Sequence, residues 1–296
     1  MKIGITGGTG FIGNRLAEQA RQEGHEVVIF SRRADSLNLP HAEARLFTPG
    51  TPPDLAGLDA VVNLAGASIF GLWTKAQRKC IIDSRILSTR GIVEAIAALA
   101  RNGSPVPTLI NGSAIGFYGD TGDRLVEETD GPGKGFLSGV CQAWEAEAHQ
   151  AEASGARVVC LRTGFVIGRG GALALIGPLF RWGLGGCLGD GRQWMSGIHV
   201  DDVAGLILWA LTNDSVKGPL NGVMPDPFRN IDFTREVARA VHRPAFLPAP
   251  AFVLRLGLGE FSHLLLDNSR VQPRRAEDHG YVFRFASLPS ALQDTL

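Results

Sequence analysis

Residues 2–13, reading KIGITGGTGFIG, limit what this chain can fold into more than any other stretch. Lys2, Ile3, Gly4, Ile5 and Thr6 form a short, mostly apolar run that suits a strand, and Phe11, Ile12, Leu16 and Ala20 then recur at helical spacing. Three glycines fall between the two periods. Gly7 can take the positive φ of a tight turn, Gly10 lets the backbone approach a bound group, and Gly13 lets a helix lie close on a sheet. The free N–H groups and positive dipole end of that helix suit phosphate oxygens. A second strand over residues 26–30 completes a βαβ unit, so the turn predicts a dinucleotide site with its pyrophosphate on the helix N-terminus.

The alternation continues with strands over residues 60–64, 108–112 and 157–162 and helices over 74–100 and 136–153. This order predicts an α/β protein with a Rossmann-type, doubly wound parallel sheet. After Thr163 the period is lost: residues 168–171 and 183–191 are rich in glycine, which marks the start of the substrate side. Asp201 reads as the N-cap of a helix over 202–212 with Ala204, Leu208 and Leu211 on its apolar face. Prolines crowd the chain from residue 219 onward, around short helices at 231–241 and 251–266. The expected organisation is a dinucleotide-binding domain over 1–220, with 164–200 contributing to the substrate cleft, and a smaller C-terminal α+β lobe over 221–296.

Composition narrows the partners. The 29 basic and 29 acidic residues give a formal charge of zero, so no broad surface for nucleic acid or anionic membrane is expected. No uninterrupted apolar run reaches the ~20 residues that span a bilayer. The N-terminus enters the first strand without the pattern of a signal peptide, which points to a cytoplasmic protein. Cys80, Cys141, Cys160 and Cys187 are scattered without metal-ligand spacing, so no metal is expected, and Cys160 reads as a buried small hydrophobe.

In NAD-binding folds an acidic side chain usually follows the second strand and accepts hydrogen bonds from the adenine ribose. Here Ile29 and Phe30 are followed by Ser31, Arg32 and Arg33. Guanidinium groups that can grip a 2′-phosphate stand where a carboxylate would repel it, so NADP(H) is expected.

Taken together, Thr6, Gly7, Gly10 and Gly13, then Asn63, Leu64, Ala65 and Gly66, then Arg162 with Gly164, resemble the extended short-chain dehydrogenase/reductases. The segment 189–203, GDGRQWMSGIHVDDV, with Asn221, Gly222, Pro225 and the tail 244–280, is similar to their atypical branch of epimerase family proteins, described as nucleoside-diphosphate-sugar epimerases. The likeness covers nearly the whole chain. It implies that Thr9, Gly10, Phe11 and Ile12 line the pyrophosphate, Ser31 and Arg32 the ribose phosphate, and Leu64 and Ala65, with Gly66 beside them, the adenine-side ribose and linker. Arg85 would come next along the cofactor, and Val166 would lie near the nicotinamide. It also implies a small polar substrate and, through the helices at 74–100 and 136–153, a homodimer seam.

The usual catalytic pair of that family is a tyrosine with a lysine four residues later, the lysine bringing a phenol of pKa ~10 closer to the working pH. This chain has two tyrosines, Tyr118 and Tyr281, followed at that spacing by Gly122 and Phe285. At the start of the relevant helix, Val140 and Trp144, or Cys141 and Glu145 in the next register, take the two slots. Ser113 resembles the serine that polarises a substrate oxygen. Tyr118, Cys141 and Glu145 complete the candidate catalytic set; His199 is a further titratable group, read as structural. Tyr118 is expected to hold its proton for want of a nearby cation. Two readings stay open: an NADP(H)-dependent oxidoreductase or epimerase with atypical catalytic groups, and a non-catalytic NADP(H)-binding sensor or interaction protein linked to cell division.

Overall fold

The computed structural model describes residues 1–33 and 43–296. Strands β1 (Lys2–Thr6), β2 (Glu26–Ser31), β3 (Glu43–Leu46), β4 (Ala60–Asn63), β5 (Thr108–Ala114), β6 (Val158–Thr163) and β10 (Gly218–Gly222) form one sheet in the order β10-β6-β5-β4-β1-β2-β3, with every pairing parallel. The order reverses between β1 and β4, where the carboxyl ends of the strands open the crevice typical of doubly wound sheets.

Alternation along each strand sorts the core into two layers. Ile3 and Ile5 face α1 (Phe11–Gln22) and α5 (Val200–Thr212), meeting Leu16, Ala20, Val203 and Ile207. Val28, Phe30 and Val61 face the other way, onto Ile92 and Ile96 of α2 (Lys75–Arg101), with Ala148 of α3 (Phe136–His149) in the same layer. Both faces are covered, as parallel sheets require.

Past the sixth strand the chain builds a smaller region. Two short pairings, β7 (Phe165–Ile167) with β9 (Gly197–His199) and β8 (Trp194–Met195) with β11 (Phe228–Arg229), flank α4 (Gly171–Arg181). Helices α6 (Asn230–Ala240), α7 (Ala251–Leu258), α8 (His263–Leu266), α9 (Arg274–Asp278) and α10 (Leu288–Thr295) follow. Phe228, Phe233, Val237, Leu288 and Leu292 give this region a core of its own, joined to Leu173 and Phe180 of α4.

Several elements depart from the sequence reading. Edge strand β3 carries Glu43 and Arg45 and buries no residue, so it lacks the apolar run by which strands are recognised. The helix expected over 251–266 is two helices around a tight turn at Gly259–Ser262, because Gly259 takes φ +55°. The helix expected over 136–153 ends at His149 and continues as a tight turn over Gln150–Ser154. Asp201 is not the cap of α5: the helix begins at Val200, and His199 Nδ1 accepts the Asp201 N–H at 3.2 Å. The Asp201 carboxylate instead takes a fork from Arg15 of α1, at 2.7 and 2.9 Å.

Candidate cofactor cleft and active site

Strand register sets the carboxyl edge. Thr6 pairs with Phe30 on one side and Asn63 on the other, so Ser31, Gly7 and Leu64 follow side by side at the switch point. Gly7 takes φ +68°, and a Cβ there would lie 2.7 Å from the Leu64 carbonyl oxygen. A Cβ on Gly13 would lie 2.3 Å from Gly7 O, which is why α1 can approach the sheet so closely. Gly10 is the N-cap of α1, donating its N–H to Gly7 O at 2.9 Å, and the first turn carries no side-chain cap and no acidic residue. A bare helix start above a glycine cradle fits a pyrophosphate. Thr9 and Gly10 are exposed there; the Phe11 ring instead packs under the glycines of 168–171, so its contribution is its backbone.

At the end of β2 the Ser31 hydroxyl oxygen accepts the Arg33 N–H at 3.1 Å, and Arg32 is exposed. Ser31 stands level with Gly7, and Arg32 one residue beyond it. On the other side, Ala65 donates its N–H to Thr6 Oγ1 at 3.2 Å. Gly66 is packed by the Arg85 guanidinium, whose carbon would be 3.1 Å from a Cβ. Arg85 donates to the carbonyls of Ala67 and Ile81 at 3.1 Å each and lies 5.1 Å from the Trp144 ring. Burial pushes its pKa below the ordinary value, and among the described residues it has no carboxylate ion pair. Val166 lies in β7, half-buried against the layer of Ile198 and Val203.

A buried polar network underlies this edge. Thr6 donates to Asn63 Oδ1 at 2.7 Å, and the Asn63 amide donates to Thr89 Oγ1 at 2.9 Å and to Asn111 Oδ1 at 2.7 Å. Trp144 Nε1 donates to the same Thr89 oxygen at 2.9 Å. Thr89 lies on the buried face of α2 and Asn111 inside the buried strand β5, and neither forms a motif with its neighbours in the sequence.

Across β5, β6 and β10 the register puts Ser113, Arg162 and Asn221 in one row. Glu145 of α3 and Tyr118, in the turn Ile115–Tyr118, meet that row. Arg162 forks onto Glu145 at 2.9 and 2.8 Å, and the Ser113 hydroxyl donates to Glu145 Oε1 at 2.6 Å. A third Arg162 N–H reaches the Tyr118 oxygen at 2.9 Å, while the Tyr118 hydroxyl donates to Asn221 Oδ1 at 2.8 Å. Three of the four expected catalytic candidates, Ser113, Tyr118 and Glu145, therefore come together around Arg162, and the fourth, Cys141, is buried in the apolar cluster that holds Tyr118. The nearby cation thought to be missing from Tyr118 is Arg162. It lowers the cost of tyrosinate, yet desolvation dominates and pushes Tyr118 up to about 12. Burial, then the charge of Glu145, pushes the Cys141 thiol up to about 11, so Cys141 stays protonated at neutral pH. Burial also penalises Arg162, but its bonds to Glu145 outweigh this and hold it above the ordinary arginine value. Val140 and Trp144 pack in the interior. His199 belongs to the α5 cap and stacks on Phe285 at 4.0 Å, as expected of a structural histidine.

A cavity of about 770 Å³ opens elsewhere, lined by none of the residues of this row. Its walls include Asp123, Arg192, Arg229, Arg255 and Asn268. Asp123 accepts from Trp194 Nε1 at 2.8 Å and Arg229 at 2.9 Å, which hold it below the usual carboxylate range. Arg229 and Arg270 lie 3.7 and 4.3 Å from the Trp194 ring. Arg192 and Arg255 make no ion pair among the described residues. Gly122 and Asp123 form part of the wall, and the neighbouring Thr121 donates its N–H to Asn268 O at 3.0 Å. No cluster of His, Cys, Asp or Glu among the described residues could hold a metal ion.

Comparison with known proteins agrees with this geometry. Residues 3–221 match the NAD dependent epimerase/dehydratase family, and residues 249–295 match a domain of unknown function, DUF1731. Epimerase family protein YfhF of Bacillus subtilis is 37% identical over 302 residues, covering 100% of this chain and 98% of its own. The crystal structure of human epimerase family protein SDR39U1, solved with NADPH, superposes with a TM-score of 0.87 at 33% identity, covering 99% of this chain and 98% of its own. UDP-glucose 4-epimerase of Thermus thermophilus, solved with NAD, shares the fold at a TM-score of 0.77 and 20% identity, covering 100% of this chain and 97% of its own. With a glycine cradle, a parallel sheet and a C-terminal region all of that pattern, the chain belongs to the NAD dependent epimerase/dehydratase family, among the SDR39U1- and YfhF-like epimerase family proteins that carry a C-terminal DUF1731 domain.

Proposed function

We propose that this chain is an NADP(H)-dependent oxidoreductase or epimerase of a small polar substrate, with Tyr118 and Arg162 in place of the family's tyrosine and lysine. The observation that carries the reading is the 2.9 Å contact from the Arg162 guanidinium to the Tyr118 oxygen, on the row that also holds Ser113. The glycine cradle, Ser31 and Arg32 would hold the cofactor, whose phosphorylated ribose explains a cation at the end of β2; the human relative solved with NADPH supports the same choice. Bound there, NADP(H) supplies or accepts a hydride.

The residues of the chain do the rest. Tyr118 would give its proton to a substrate oxygen, and Arg162 would stabilise the phenolate left behind, as lysine does elsewhere. Glu145 acts as a positioning residue that fixes the guanidinium. Arg192, Arg229 and Arg255 against Asp123 and Asp190 leave the 770 Å³ cavity one positive charge in excess, which suits an anionic group on the substrate, sugar nucleotides included. Leu64, Ala65, Gly66, Arg85 and Val166 would line the path between the two ends of the cofactor.

One observation favours the second reading, a protein that binds NADP(H) without turnover. The Ser113 and Tyr118 hydroxyls already donate within the protein, and the Glu145 carboxylate is already taken. Following nicotinamide absorbance across carbonyl and sugar-nucleotide panels separates the two. The catalytic reading predicts turnover that falls by about 10²–10⁴-fold in Tyr118→Phe with NADPH affinity unchanged. A wild type that binds NADPH yet stays inert across the panels would overturn it.

A further inference from the structure

Nine of the seventeen large hydrophobic side chains exposed among the described residues fall within residues 175–184 and 246–256, whereas α2 and α3 together contribute only Leu87. Two helical stripes account for much of this. Leu175, Leu179 and Trp182 follow one another at steps of four and three, as do Phe252 and Leu256 at a step of four, so each set shares a helix face. Trp182 is 76% exposed and Leu256 88%. Helix α7 buries none of its eight residues.

Backbone bonds hold the segments that carry the stripes side by side. Leu247 donates its N–H to Gly185 O at 3.2 Å, Ala249 to Cys187 O at 2.9 Å, and Gly189 to Ala249 O at 2.8 Å. This ladder runs from the end of α4 to the start of α7 and carries exposed Phe246 and Leu247 along it. Soluble monomers rarely leave so much apolar surface together.

Within the two segments that carry these side chains the charges have a single sign, although Asp267 lies near enough to Arg255 to interact with it. No aspartate or glutamate occurs between Glu152 and Asp190 or between Glu236 and Glu260. Arg181, Arg243 and Arg255 are exposed there, and none of the three makes an ion pair among the described residues. The formal charge of zero is thus unevenly spread, and an expectation drawn from the sum misses the local excess.

We propose that this face docks on an anionic lipid surface. Aromatic and aliphatic side chains beside arginines, on segments that carry no acid of their own, match an interfacial helix whose apolar side enters the headgroup region while the guanidinium groups meet lipid phosphates. A second copy of the chain is a poor occupant, since a two-fold contact would bring like arginines together without acidic partners. No helix among the described residues is long and apolar enough to cross a membrane, so the contact is peripheral.

Vesicle flotation of the full chain tests this, comparing phosphatidylglycerol/phosphatidylcholine with phosphatidylcholine alone at low and high salt. The anionic vesicles are expected to carry at least about tenfold more protein, with the excess lost at high salt. Arg181→Glu/Arg243→Glu and Phe252→Ser/Leu256→Ser should each cut flotation by about fivefold or more while melting as the wild type does. Equal or absent flotation on both vesicles overturns the proposal. A dimer in sedimentation velocity that Phe252→Ser/Leu256→Ser dissolves, without flotation, assigns the face to a second copy and overturns it too. Capture by an acidic polypeptide without flotation does the same in favour of a protein partner.

Discussion

At the scale of single residues, the Glu145–Arg162 pair decides most about the centre of this molecule. Both partners are buried, and the fork leaves each carboxylate oxygen bonded. Such a pair is weak as a net stabiliser but expensive to break, because the survivor is left charged and dry. Arg162→Met alone should lower the unfolding free energy by about 3–5 kcal/mol, and Glu145→Leu/Arg162→Met should recover most of that loss. Urea titration of both variants checks it; a double variant as unstable as the single one would mean the pair contributes by packing alone. His199 supplies a pH-dependent counterpart. Burial holds its pKa below the ordinary value against the pull of Asp201 and Asp294. A group with a depressed folded pKa favours its neutral form in the fold, so its contribution is present above about pH 6.5 and fades as acid protonates it. The melting temperature should fall between pH 7.5 and 5.5, and by less in His199→Asn, whose amide can still cap α5. An unchanged drop in that variant would move the effect to another group.

At the scale of elements, Thr89 shows how a helix and a sheet edge are fastened. Its hydroxyl oxygen accepts from Asn63 and from Trp144, so it ties α2 to β4 and α3 at once. Thr89→Val keeps the shape and strands two buried donors, at a cost of about 1–3 kcal/mol for each, measurable by thermal or urea unfolding. A near-neutral result would mean that water or Asn111 replaces the hydroxyl. Elements with a strong period were legible: β1, α1, β2, β4, α2, β5 and β6 stand within a residue or so of where periodicity and glycine punctuation put them, and α3 starts where expected but ends at His149. Charged edge strand β3 was not legible, and the break between α7 and α8 depends on one glycine inside an apolar run. Of the site, the cradle was readable because glycine spacing is local. The row of Ser113, Arg162 and Asn221 was not, because register between β5, β6 and β10 joins residues far apart in the chain. Arg162 looked like one polar residue at a strand end until Glu145 faced it.

At the scale of the whole molecule, the strand order places the glycine cradle, the β2 end and the Ser113–Tyr118 row along one carboxyl edge. In the proposed function, cofactor choice belongs to the β2 end and is independent of turnover. Calorimetric titration with NADPH and NADH, repeated on Arg32→Ala, isolates it. A charge-assisted contact to phosphate contributes about 1.5–3 kcal/mol, so NADPH should bind at least about tenfold more tightly than NADH, with the preference largely erased in Arg32→Ala. Equal affinities of the wild type for the two cofactors, or a preference that survives the loss of Arg32, would contradict the assignment of this edge to NADP(H).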